Sequence, residues 1–129
     1  MKKLTLFLVV LSIIFCSSAK MKEKVIGEWN VADGYFYNVA TEEDSTWSPP
    51  DIFGGIDFQE KGWSIEVKRS DGFTVKGGGI YSIRSNRVIL KFYMGISWIS
   101  ILKNDTLSLD VKPTPPMDPE GFVLRFYKR

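Results

Sequence analysis

The two side chains most often used as catalytic bases and nucleophiles are nearly missing from this chain. Its 129 residues include no histidine and a single cysteine, Cys16. Without imidazole and thiolate groups, the common general bases, covalent nucleophiles and zinc ligands cannot be assembled. We therefore expect no enzymatic activity, no metal centre and no cofactor.

Carboxylates are the remaining groups that could do chemistry, and they gather in one stretch. Glu42, Glu43 and Asp44 are consecutive, and Asp51 follows shortly after them. Such a cluster can bind calcium or supply an acid and base pair. A run of this kind is more often a solvated loop, which is the interpretation that we prefer.

Aromatic side chains are the candidates for ligand contact. Most of them alternate with polar residues, so they are expected to point inward from strands, and an eight-stranded barrel has room for side chains or one small ligand. Trp47 differs, because it lies beside Pro49 and Pro50 in the acidic stretch, where an exposed indole suits a lid or an anchor in a partner. The predicted ligand-binding residues are Trp47, Trp63, Tyr81, Phe92, Trp98 and Phe122. The alternative is that the inward rings simply fill the core.

The first 19 residues have the pattern of a secretory signal. Lys2 and Lys3 precede an apolar run over 4–15, which is too short to span a membrane as a helix, and small residues follow it. Cleavage before Cys16 would make that residue the lipid acceptor of a lipoprotein, whereas cleavage after Ala19 would remove it. Residues 20–24 are then a tether. We expect export, to the periplasm or outer membrane as a lipoprotein or otherwise by secretion.

Charge argues against nucleic acid as a partner. Removal of Lys2 and Lys3 from the 17 basic residues leaves as many as the 15 acidic ones. Phosphate neutralisation needs clustered basic side chains, and a neutral chain does not supply them. We expect a monomer whose partner is a small hydrophobic ligand or an envelope protein, with membrane contact only through a lipid at Cys16.

The elements that must position these side chains are strands in one domain, 25–129. Apolar and polar residues alternate through most of the chain, as in Trp63, Ile65 and Val67, and turn residues separate the runs. The pattern predicts eight strands, at 25–37, 52–58, 62–69, 73–83, 87–93, 96–103, 106–112 and 121–128.

Eight consecutive strands with short links favour an all-β fold, an eight-stranded antiparallel up-and-down β-barrel, because closure removes the exposed edges. The two long connections, 38–51 and 113–120, are the first and the seventh, so both belong to the same rim. The run of glycines at 77–79 lies within a strand and predicts a bend of the barrel wall.

The order of several motifs resembles that of lipocalin-like, calycin-type domains of exported bacterial proteins. Gly27 and Trp29 match the G-x-W motif of the first strand, and "GFVLRFYKR" resembles a basic last strand. The resemblance implies that Trp29 plugs the barrel floor, with Gly27 beside it and Arg125 as a cation over the indole. Because Arg125 alternates with apolar residues, Lys128 and Arg129 are alternatives for that cation.

Two functions remain open from the sequence. The first is a carrier or sensor that holds a small apolar or amphipathic molecule inside the barrel, which requires an interior space. The second is a protein-interaction module of the cell envelope, resembling the small barrel inhibitors of bacterial proteases, which requires a packed interior and an exposed rim or arm.

Overall fold

The structure, a computed structural model, describes residues 20–129; Cys16 and the rest of the predicted signal lie outside the described residues. Nine strands follow one another along the chain. They are β1 (Gly27–Asn38), β2 (Asp44–Trp47), β3 (Ile52–Phe58), β4 (Trp63–Arg69), β5 (Thr74–Arg84), β6 (Arg87–Phe92), β7 (Ser97–Lys103), β8 (Thr106–Val111) and β9 (Glu120–Lys128).

Eight of these strands form a closed antiparallel barrel of up-and-down order. Neighbours in the sequence pair from β3 through β9, and β1 closes the ring by pairing with both β3 and β9. The short β2 lies outside the ring and pairs with the second half of β1, whose first half pairs with β3. The predicted fold class is confirmed.

The eight predicted strands are all present, and two local departures concern the first connection and the chain start. The first connection was expected to be irregular, but it contains β2. Residues 20–25 form a helical turn instead of continuing as tether and strand, and the Ile26 amide donates to the Lys22 carbonyl at 3.0 Å. In the described range no helix has the length and apolar character needed to cross a membrane.

The barrel has one closed end and one elaborated end. The closed end carries the helical turn and the tight connections 59–62, 85–86 and 104–105. The other end, called the mouth, carries the connections 39–43, 48–51, 70–73, 93–96 and 112–119. The Val39 amide donates to the Pro119 carbonyl at 3.0 Å, so the two long connections meet on one rim as predicted.

The glycine run, from which a bend was predicted, ends at Gly79, where β5 changes partner. The first half of β5 pairs with β4 and the second half with β6, and Gly79 lies opposite both Trp63 and Phe92. A Cβ atom at this position would overlap the Lys91 carbonyl oxygen. Only glycine therefore allows the three strands to approach this closely.

Candidate functional site

The closed end is built around Trp29, as the G-x-W motif predicts. Its side chain is buried, and its indole N–H donates to the Val25 carbonyl oxygen at 2.8 Å, which ties the helical turn to the first strand. Gly27 has a φ of 127°, and a Cβ there would lie 3.2 Å from Cε of Lys128. The glycine thus leaves room for a lysine side chain to cross the end of the barrel.

The cation over Trp29 is Lys128, so the prediction for Arg125 requires correction. The Lys128 ammonium lies 5.8 Å from the indole centroid and donates to the Lys24 carbonyl at 2.8 Å. Arg125 instead forms a two-point ion pair with Asp33, opposite it on β1, and its Nε–Oδ1 distance is 2.8 Å. The reason is strand alternation, since Leu124 and Phe126 point inward and the residue between them points out.

Tyr81 points inward, but it belongs to the closed end rather than to the mouth. Its ring packs edge-on against Phe58 with centroids 5.2 Å apart, and its hydroxyl donates to the Gln59 carbonyl at 2.6 Å. Burial raises the pKa of Tyr81, with a further contribution from Glu60 that the charge of Lys22 opposes. Tyr81 is thus separated from the other predicted ligand contacts.

The other four inward aromatic residues form a continuous cluster in the interior. Phe92 and Trp98 pack edge-on with centroids 4.6 Å apart, and Trp63 lies 5.1 Å from Phe92. Phe122 continues the row at 5.9 Å from Trp98. These distances are those of direct ring contact, so the four rings pack against one another in a row.

Trp47 was expected to be exposed, as a lid or as an anchor in a partner, and the expected exposure is wrong. It lies in β2 opposite Gly34, is half-buried, and packs against the core. The guanidinium of Arg69 lies 4.5 Å from the Trp47 centroid, 4.6 Å from that of Phe36 and 4.7 Å from that of Phe73. A cation among three rings holds the indole in place at the mouth.

Arg69 is the residue of the mouth that sequence reasoning missed. It ends β4 and forms a two-point ion pair with Asp71 across the following turn, with an Nε–Oδ1 distance of 3.0 Å. The hydrogen bond from Arg69 lowers the pKa of Asp71, to which the Phe73 amide also donates. The only available signal was an arginine at a strand end with an aspartate two residues later.

The acidic stretch does not assemble into a compact charged centre. Glu42 has a φ of 60° in the turn between β1 and β2, and Asp44 accepts the Tyr35 hydroxyl at 2.9 Å. That hydrogen bond raises the pKa of Tyr35. Among residues 20–129, the acidic, histidine and cysteine side chains nowhere group in threes at a distance that would hold a metal ion.

Large apolar side chains project from the mouth into solvent. Tyr93 is 84% exposed and Met94 is 91% exposed, both in the turn after β6, and Met117 is 93% exposed in the connection after β8. Ile96, in the same turn as Tyr93 and Met94, and Val39, in the connection after β1, are also exposed. We call these five residues the apolar rim.

Comparison of the chain with protein-family models, with curated proteins and with solved structures found no match.

Proposed function

We propose that this protein is a protein-interaction module that binds its partner through the apolar rim of the barrel mouth. The observation that carries the proposal is the exposure of Tyr93, Met94 and Met117 at one end of the barrel. Exposed apolar side chains that cluster commonly mark binding surfaces, because burying them against a partner removes them from water. Methionine and tyrosine are also frequent at interfaces.

Ring contacts in the interior support this function over ligand carriage between the rings. The rings of Phe92, Trp98 and Phe122 touch one another in a row. A ligand placed between them would have to separate them. A partner on the rim would require no such rearrangement.

The barrel architecture also fits the lipocalin-like relationship suggested by the motifs. We propose that the chain is an exported protein of this kind, processed at the predicted signal and held at a membrane by lipid on Cys16 when cleavage precedes that residue. The buried Trp29 beneath the cation of Lys128 supports the relationship, since the resemblance implies such a floor.

Photo-crosslinking from the rim tests the proposed function. A photoreactive phenylalanine analogue replaces Met94 or Met117 in one pair of variants and Lys103, an exposed residue near the closed end, in the control. We expect defined protein adducts from the two rim positions in the cells that produce the protein, and none from the control. Equal labelling from all three positions would contradict a dedicated rim.

The carrier hypothesis has its own test in the same preparation. Fatty acids and related amphiphiles are titrated while tryptophan fluorescence is followed, and organic extracts of the purified protein are analysed by mass spectrometry. We expect no saturable change and no stoichiometric lipid. A single amphiphile recovered in equimolar amount would instead favour the carrier and remove the support that the packed interior gives to protein binding.

A further inference from the structure

The barrel wall is split at the mouth between β7 and β8. Their ladder runs from Lys103 opposite Thr106 to Ser100 opposite Leu109, where the pairing ends. Both strands continue beyond this point, since β7 begins at Ser97 and β8 ends at Val111. Continued pairing in the same register would have placed Ile99 opposite Asp110.

Each strand remains ordered at the split through its other neighbour. Ser97 and Ile99 pair with β6, and Asp110 and Val111 pair with β9. The split is therefore bordered by two regular strand edges rather than by loops. Such edges present backbone donors and acceptors that can pair with another extended chain.

A groove of about 930 Å³ opens at this split. Trp98, Val111 and Phe122, which point inward, contribute to its lining, and so do Ile99 and Ile101, which point outward from β7. The groove thus passes through the wall and offers apolar contacts on both faces. Ile99 and Ile101 are 48% and 41% exposed, so their side chains are accessible to a partner in the groove.

We propose that this groove accepts an extended peptide segment of the partner protein, which adds as a short strand along the open edge of β7 or β8. This inference rests on the proposed function and specifies which part of the partner is bound. Within residues 20–129 no strand pairs with these edges on the side of the groove, and an extended chain supplies the backbone hydrogen bonds that such edges can form, whereas a lipid tail does not. The two apolar faces require side chains on both sides of that chain, at alternating positions. The charged lining residues are Asp110, Asp118 and Glu120 together with Arg87 and Lys112, and the single excess negative charge favours a basic residue in the peptide.

An engineered cross-link between the two edges tests the proposal. Ile99→Cys with Asp110→Cys, in the full chain carrying Cys16→Ser, joins the edges at the position where the ladder would have continued. Lys103→Cys with Thr106→Cys is the matched control, because these residues already face each other on the same strands and the same face. Disulfide formation is verified by mass and by thiol titration.

Short linear peptides selected from a displayed library against the uncross-linked protein serve as probes, and fluorescence anisotropy measures their binding. We expect selected peptides with alternating apolar residues, at least about tenfold weaker binding to the oxidised Ile99→Cys, Asp110→Cys variant, recovery on reduction, and less than about twofold change in the control. Backbone N-methylation of the peptide should weaken its binding similarly. Failure to select any peptide, or binding that ignores the cross-link, overturns the proposal.

Amide hydrogen exchange gives a second readout that does not depend on the cross-link. Peptide binding should slow exchange of amides within 97–99 or 110–112, because an added strand pairs with them. Unchanged exchange there would refute strand addition. A concentration-dependent dimer that the cross-link abolishes would assign the groove to a second copy of the chain. Displacement of the peptides by amphiphiles would assign it to a small ligand. Either result overturns the peptide assignment.

The two proposals can fail separately. Rim adducts at Met94 that persist unchanged in the cross-linked protein would leave rim binding intact and remove the groove from the interface. Loss of adducts in every variant, including the uncross-linked protein, would instead remove the proposed function on which the groove assignment rests.

Discussion

Replacing Trp29 by alanine should destabilise the fold by removing the main buried side chain of the closed end. The side chain is only 2% exposed, its N–H bonds the Val25 carbonyl, and the Lys128 ammonium lies over its ring. Truncation of a large buried aromatic residue costs about 3 to 5 kcal/mol of unfolding free energy. In a domain of this size that loss lowers the melting temperature by roughly 12 °C or more.

Two further substitutions divide this loss into its parts. Trp29→Phe keeps a ring but leaves the buried Val25 carbonyl without its donor, and should cost about 1 to 2 kcal/mol. Lys128→Met keeps the side-chain stem and removes the charge, and should cost about 0.5 to 1 kcal/mol. Lys103→Met, at an exposed strand end, is the matched control and should change stability little.

Urea unfolding followed by far-ultraviolet circular dichroism measures these values without relying on tryptophan emission. A Trp29→Ala protein within about 1 kcal/mol of the parent would refute the floor assignment. A double-mutant cycle between Trp29→Ala and Lys128→Met should give a coupling free energy of about 0.5 kcal/mol or more. Zero coupling would show that the lysine lies near the indole without stabilising it.

Three other perturbations follow from single contacts, and a fourth tests the predicted lipid at Cys16. Gly79→Ala should destabilise the fold severely or prevent folding, because the added Cβ would overlap the Lys91 carbonyl. In Gly72→Ala the added Cβ meets no neighbouring atom, so urea unfolding should show only the smaller cost of a positive φ at alanine. Because the folded-state pKa of Tyr81 is raised, the stability that this residue contributes is present below the pKa of an unfolded tyrosine and is lost as pH rises through the folded-state pKa. Tyr81→Phe should therefore flatten the alkaline part of a plot of unfolding free energy against pH. Because the folded-state pKa of Asp71 is lowered, the stability that this residue contributes is present above the pKa of an unfolded aspartate and is lost as pH falls through the folded-state pKa. Asp71→Asn should remove this loss of stability at acid pH, and it should alter Trp47 emission at neutral pH because Asp71 pairs with the Arg69 beside that indole. Cys16→Ser should move the protein from the membrane fraction to the soluble fraction if the lipid is attached there, and an unmodified N-terminus at Lys20 in the wild-type protein would contradict lipidation.

The strands were predictable because their signal is local. In β4, the alternation of Trp63, Ile65 and Val67 with polar residues is the direct trace of one buried face and one solvated face. The loop lengths then placed the two long connections on one rim. Strand alternation could also have predicted which cation lies over Trp29. Lys128 is two residues beyond the inward Phe126 and shares its face, whereas Arg125 does not.

The arrangement of the mouth could not be predicted because its contacts join distant parts of the sequence. β2 has four residues, "DSTW", too few to show a period, and it forms only because β1 extends beyond β3 and leaves an edge to pair with. The rings around Arg69 come from three separate strands or turns. The split between β7 and β8 is invisible as well, because both strands keep ordinary alternation up to their ends.

The energetics of the two candidate functions differ because of where the apolar surface lies. A ligand inserted between interior rings such as Trp98 and Phe122 must separate them, and each such pair contributes about 0.5 to 1.5 kcal/mol beyond its buried area. A partner that covers Met94 and Met117 loses nothing of this packing, and each apolar side chain that it buries contributes about 1.5 to 3 kcal/mol. We therefore expect a partner on the outer surface to bind without the cost of separating interior rings, and the open edges of β7 and β8 lie beside that surface.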